Sequence, residues 1–174
     1  MLFPGRPTLT VVAKVSAGTP AITALVRAGI GHRVLAYRHD PNAGSFGAEA
    51  ARELAAEGFS PEQIFKTLVI STSNGLAVAV IPVPQKLSLK ALSRALSLPK
   101  AEMADPAVAQ RSTGYLLGGI SPLGQRKPLR TVVDRSALDW DLVLCSAGKR
   151  GLDIALAPAD LITQTAAVTA HITV

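Results

Sequence analysis

The sequence has a single cysteine, Cys145, so no disulfide can form within the chain. A lone thiol suits a reducing compartment. The three histidines, His32, His39 and His171, are too scattered to give metal-ligand spacing. Aromatic residues make up only 4% of the chain, and the core must therefore be built from Ala, Val, Leu and Ile. Charged residues are 17% against 48% apolar, a balance that argues for a packed core and against disorder. Long apolar runs are missing as well. The most apolar segment, Leu76 to Pro84, is too short to cross a bilayer and is interrupted by Pro82. Met1 to Arg6 shows no basic stretch followed by an apolar run, so no signal peptide is expected. These absences together predict a soluble, cytoplasmic protein with no membrane partner.

What is present fits one globular domain. A chain of 174 residues buries enough apolar surface to stand without disulfides or metals. Its formal net charge of +6 favours polyanionic partners, nucleic acid ahead of a membrane surface. Residues 1–18, punctuated by Pro4, Gly5, Pro7 and Gly18, read as an extension with a short apolar run at Val11-Val12-Ala13.

Helix starts are legible. Thr19-Pro20 and Asp105-Pro106 each place a capping side chain before a proline at the first helical position, and Pro158 opens a last helix through Thr165. Ser45 can cap a helix from about Ala48 to Glu57, and Ser88 to Leu98 is amphipathic with Leu89, Leu92, Ala95 and Leu96 inward. Thr67–Ile70 and Leu76–Val83 are apolar, β-branched runs joined through Ser73-Asn74-Gly75, a strong hairpin signal. Further strands are expected at Val34–Tyr37, Arg130–Val133, Asp141–Cys145 and Leu152–Leu156, with residues 168–174 as an edge strand. Without a regular βαβ repeat, the class is α/β or α+β with a mixed sheet.

Several blocks, in order, resemble the YbaK/EbsC family, which includes the Cys-tRNA(Pro) deacylases. They are Thr19-Pro20-Ala21, Tyr37 with His39-Asp40-Pro41, Ser45-Phe46-Gly47 with Glu49-Ala50-Ala51, and Phe65-Lys66-Thr67-Leu68. Glu102-Met103-Ala104-Asp105 follows, then Thr113-Gly114-Tyr115 and Gly118-Gly119-Ile120-Ser121-Pro122-Leu123-Gly124-Gln125. Ser146-Ala147-Gly148-Lys149-Arg150-Gly151-Leu152 and Leu156-Ala157-Pro158 complete the set, with Ala147 standing where many relatives have glycine. The resemblance covers residues 19–166. It implies a single domain with a mixed, mainly antiparallel, barrel-like sheet flanked by helices. It also implies a free-standing enzyme that removes cysteine from mischarged tRNA(Pro) without a cofactor, in possible association with prolyl-tRNA synthetase. Two other readings remain: a deacylase for alanine or another small amino acid, and a non-catalytic tRNA-binding or synthetase-associated module.

An aminoacyl ester is already activated, so such an enzyme needs positioning, a donor near the carbonyl and a nucleophile. In the related deacylases the substrate's own thiol supplies the nucleophile, which accounts for the lack of a Ser–His–Asp or Cys–His set here. Lys66 of the Phe-Lys-Thr motif is the expected catalytic cation, facing an ester or phosphate oxygen. Gly118 and Gly119 would let backbone N–H groups approach the carbonyl. Tyr37 is expected to hold the α-amino group or wall the thiol site, Thr67 to donate to the terminal adenosine, and Ser146 and Arg150 to close the pocket and meet phosphate. Bland roles compete for each: a solvated lysine, a plain turn, strand packing. Cys145, in an apolar strand, reads as an inert hydrophobe. His39-Asp40 reads as turn chemistry, Ser121 as a turn residue, and Asp153 as the partner of a basic neighbour. Weaker candidates for tRNA phosphates are the stripe Lys86, Lys90 and Arg94, spaced four apart, and the cluster Arg126, Lys127 and Arg130. Oligomeric state is left open.

Overall fold

The computed structural model describes residues 18–174, so the extension assigned to residues 1–18 lies, Gly18 apart, outside them together with the Val11-Val12-Ala13 run. Among the described residues five α-helices and eight strands form one α+β domain: α1 Pro20–Arg27, β1 His32–Ala36, α2 Phe46–Ala55, β2 Phe65–Thr72, β3 Gly75–Pro82, α3 Leu89–Ala95 and β4 Ala101–Met103. α4 Pro106–Thr113, β5 Arg130–Asp134, β6 Val143–Lys149, β7 Leu152–Leu156, α5 Pro158–Thr165 and β8 Val168–Ala170 complete it.

The caps act as their chemistry dictates. Thr19 Oγ1 accepts from Ile22 N (3.2 Å), Ser45 Oγ from Ala48 N (3.3 Å) and Asp105 Oδ1 from Ala107 N (2.9 Å), each satisfying an orphan donor of a first turn. Asn74-Gly75 closes the β2–β3 hairpin, in which Phe65 lies opposite Pro82 and Thr72 opposite Gly75.

The strands divide into two sheets rather than the one barrel-like sheet expected. The first has the order β1-β7-β6, the second β4-β2-β3-β5-β8. Pairing is mainly antiparallel, with β3–β5 and β5–β8 parallel. Between the sheets one isolated parallel bridge links Ile64 and Leu144, while β4 pairs with β2 only from Ile70 to Thr72. Among the described residues, a stretch of the β2 edge around Lys66–Leu68 is thereby left without a hydrogen-bonded strand partner, so the barrel does not close and a gap opens between the sheets.

Three apolar clusters hold these layers. α3 sets Leu92 and Leu96 on Ile70, Ala79, Ile81 and Val132 of the second sheet. α2 sets Ala50 and Leu54 on Leu35, Ile64, Leu144 and Ala155. The largest cluster joins Leu25 and Leu161 to Val78, Val80, Val133 and Ile154, and it contains fully buried Cys145, whose thiol burial pushes up above its ordinary pKa. Several element boundaries differ from expectation by a few residues, and the short strand β4 was not expected. Lys86 precedes α3, so it does not share a helical stripe with Lys90 and Arg94, and β6 runs on past Cys145 to Lys149 through an irregularity after Ser146. Of residues 168–174 only 168–170 pair as the β8 edge strand, with Thr173 bridging to Leu87. Among the described residues no helix is long and apolar enough to cross a membrane.

Candidate functional site

The gap beside β2 is a cavity of about 410 Å³, bounded by the start of α2, the hairpin and the glycine-rich loop before β5. Its polar lining is Tyr37, Ser45, Lys66, Thr67, Ser146 and Asp153, and its apolar walls include Phe46, Val83, Leu117 and Ile120. Five of the residues singled out from the sequence meet here: Lys66, Gly118, Tyr37, Thr67 and Ser146. Gly119 and Arg150 stand behind the wall instead.

Lys66 is half-buried. Its Nζ donates to Val83 O (3.1 Å), which leaves two further protons for a ligand, and burial draws its pKa below the ordinary lysine value. Thr67 Oγ1 is shielded from solvent and has no hydrogen-bond partner among the described residues, a cost that a bound ligand would relieve. Ser146 Oγ accepts from Gly148 N (3.1 Å). Burial, and next the nearby Asp153 carboxyl, pushes the Tyr37 phenol up, so it remains a neutral donor.

Asp153 departs from the sequence reading. It makes no ion pair with a basic neighbour among the described residues; it is 5% exposed and lines the cavity. A charged residue inside the otherwise apolar run Leu152–Leu156 was the available signal. Burial raises its pKa from 3.8 to about 7, so below that pH the empty cavity favours the protonated acid. From the unfolded value near 3.8 up to about 7, the folded chain keeps a proton that the unfolded chain has released. The contribution of this group to stability therefore falls as pH rises through that window and levels off above it. We expect Asp153→Asn to gain on wild type between pH 4 and pH 8 by roughly 4 kcal/mol at most. Denaturant unfolding at the two pH values measures this, and parallel pH profiles would contradict it.

A second acidic group was missed for a similar reason. Glu49 on α2 is 2% exposed and accepts from His39 Nδ1 (2.8 Å) and Asp40 N (2.5 Å). These bonds, the Asp40 amide first, hold its carboxyl below the usual carboxylate range. Asp40 itself serves the turn by accepting from Asn42 N (2.9 Å). His39 therefore ties the β1–α2 loop to Glu49, and its ring lies 5.9 Å from that of Phe46 in the cavity wall.

The glycine pair does two different things. Gly118 adopts φ +80°, a region that disfavours side chains, and a Cβ there would stand 2.7 Å from the Phe46 ring. Gly119 N–H donates to Leu116 O (3.0 Å), and a Cβ at Gly119 would meet Arg150 N at 3.0 Å. Gly118 thus borders the cavity, and Gly119 lets the loop lie against the β6–β7 turn. Arg150 Nε donates to Leu117 O (2.8 Å), and its guanidinium sits 4.7 Å from the Phe46 ring centre.

None of the six tRNA candidates lines the cavity. Arg130 Nη2 donates to Leu96 O (3.0 Å) and Arg126 reaches Arg111 O (3.5 Å). Lys90 and Arg94 border a separate hollow beside α3 together with Lys100, whose ammonium pairs with Glu102. Lys86 and Lys127 are exposed. No cluster of three or more His, Cys, Asp or Glu suited to a metal ion occurs among the described residues.

Comparison with known proteins bears directly on this cavity. The model of the aminoacyl-tRNA editing domain matches residues 45–163, a span holding Lys66, Gly118 and Asp153. The chain belongs to the aminoacyl-tRNA editing domain family. The editing domain is 40% identical over 117 residues to a protein of Enterococcus faecalis named as the Cys-tRNA(Pro)/Cys-tRNA(Cys) deacylase EbsC, covering 67% of this chain and 71% of that protein. Its fold resembles a crystal structure described as a trans-editing enzyme for prolyl tRNA synthetase, with a TM-score of 0.77 at 24% identity over 91% of this chain and 99% of that one. A structure from a study of epitope grafting onto scaffold proteins matches with a TM-score of 0.78 at 23% identity, over 89% and 95% of the two chains. At such identities the two structures speak for the fold alone. In this editing domain the polar groups of the cavity come from β2, β6, β7 and the start of α2, with Tyr37 from the segment just before the matched span.

Proposed function

We propose that this editing domain is a cytoplasmic deacylase that clears cysteine from mischarged tRNA(Pro); its Enterococcus relative is named as a Cys-tRNA(Pro)/Cys-tRNA(Cys) deacylase. The observation that carries the reading is one cavity lined by a lysine, a bare glycine and a buried carboxyl: Lys66, Gly118 and Asp153. A substrate ester ends in an α-ammonium, a carbonyl and a ribose oxygen, and each has a counterpart here. Asp153 ionises when the α-ammonium enters beside it, with Tyr37 at its flank. The Gly118 N–H faces the carbonyl oxygen as it gains charge, and Lys66 faces the ribose side.

Among the described residues no cysteine or histidine lines the cavity to supply an activated nucleophile: Cys145 is buried in the core, and Ser146 Oγ accepts from Gly148 N. The substrate thiol does that work. Its sulfur bonds to its own carbonyl carbon, the ester C–O bond to the ribose breaks, and the thiol proton passes to the departing ribose oxygen. Water then opens the cyclic thioester to free cysteine. Holding the thiol over the carbonyl supplies the rate, because a well-oriented intramolecular attack has an effective molarity far above any solution concentration. The reading assigns tRNA choice to contacts outside the cavity, through exposed lysines or a complex with prolyl-tRNA synthetase.

The test is a panel of aminoacyl-tRNAs with purified protein. Cys-tRNA(Pro) should be emptied while Pro-tRNA(Pro) is spared. Release of alanine with cysteine untouched would transfer the assignment to a small-amino-acid deacylase, and tight binding without release would make the chain a tRNA-binding module.

A further inference from the structure

The geometry points to Arg150 as a positioning residue that aims the Gly118 N–H into the cavity by gripping the same peptide unit from behind. This rests on the deacylase reading above. Leu117 C=O and Gly118 N–H belong to one peptide plane, and in a trans peptide they point in opposite directions. All described peptides are trans. Arg150 Nε holds the carbonyl end of that plane at 2.8 Å, so the N–H end is directed away from the β6–β7 turn, toward the space that Leu117 and Gly118 line. A charge-assisted bond to the carbonyl also polarises the N–H at the other end, making it a better donor to an oxyanion.

Such a brace is needed because of the residue type. Gly118 at φ +80° has no side chain to resist rotation of its peptide. Two further contacts complete the brace. The Arg150 guanidinium covers Phe46 at 4.7 Å, and the Phe46 ring occupies the space where a Gly118 Cβ would lie. Arg150 N is 3.0 Å from the position of a Gly119 Cβ, so loop and turn are packed backbone to backbone. Arg150 thus acts through the peptide it holds and does not itself line the cavity.

The experiment compares Arg150→Ala and Arg150→Lys with wild type in steady-state release of cysteine from Cys-tRNA(Pro). Arg150→Ala should lower kcat by about tenfold to a hundredfold, as a small misplacement of a catalytic group does, with KM within roughly twofold of wild type. Added guanidinium should restore part of kcat, while Arg150→Lys, whose ammonium lacks the planar fork, should not reach wild-type activity. A normal kcat with raised KM, and a salt dependence of log KM shallower by about one, would make Arg150 a phosphate contact and overturn the assignment. So would full activity of Arg150→Lys. A readout independent of turnover is the 19F spectrum of free protein labelled with fluorophenylalanine, in which Phe46 is one of four phenylalanines. Arg150→Ala should move the resonance identified by its loss in Phe46→Leu, and an unmoved resonance would contradict the brace. If wild type releases no cysteine from any tRNA, the functional reading falls, while this spectrum still judges the brace by itself.

Discussion

Lys66→Ala should bring cysteine release down by at least ~10³-fold, to near background, while the protein remains folded. The size of the effect follows from where the ammonium stands. It lies half-buried in the cavity, in a setting that strengthens its pull on an oxygen, and among the described residues no other lysine or arginine lines that cavity to replace it. The structural effect should be modest, because the side chain gives up one charge-assisted hydrogen bond to Val83 O, an interaction worth about 2 kcal/mol. Single-turnover assays with a thermal melt of the same sample separate the two. Lys66→Arg should remain impaired as well, since a planar guanidinium cannot sit where a compact ammonium does. Turnover by Lys66→Ala equal to wild type would remove the lysine from the site.

Gly118→Ala should cost about 10²-fold in kcat, comparable to removing one oxyanion donor elsewhere. The cause here is displacement of the donor. An alanine at φ +80° pays a left-handed backbone penalty of roughly 1–2 kcal/mol, and its Cβ would stand 2.7 Å from the Phe46 ring. The ring must move, or the loop must turn its peptide, and either change spoils the path of the N–H. A melt showing only a modest loss of stability beside a large loss of kcat supports this account; an unchanged kcat contradicts it.

The local parts of the fold were legible in the residues because their causes are local. Thr19-Pro20 and Asp105-Pro106 cap and start their helices within a few positions, and Asn74-Gly75 folds β2 onto β3 through a turn that needs no distant partner. What escaped depends on segments far apart in sequence. β1 pairs with β7 across more than a hundred residues, and nothing in either strand states that pairing, so the split into two sheets was not foreseen. The same holds for the site. Lys66, Gly118, Tyr37, Thr67 and Ser146 were found through family motifs and line one cavity. Asp153 and Glu49 were passed over because a carboxylate is ordinarily solvated or paired on a surface. Only the packing reveals that one lies within an apolar strand and that the other receives two hydrogen bonds inside a loop. Arg150 was expected at a phosphate because arginine forks suit phosphate; its engagement with Leu117 O depends on a loop thirty-three positions away.

The most direct measurement is the single-turnover rate at which this protein empties one tRNA charged in turn with cysteine and with serine. A cavity that merely admits small side chains distinguishes such similar groups by no more than ~10²-fold. Attack by the substrate's own sulfur predicts a preference for cysteine of about 10³-fold or more. Equal rates would mean that water, activated by the protein, cleaves the ester, and that the amino acid takes no part in its own release.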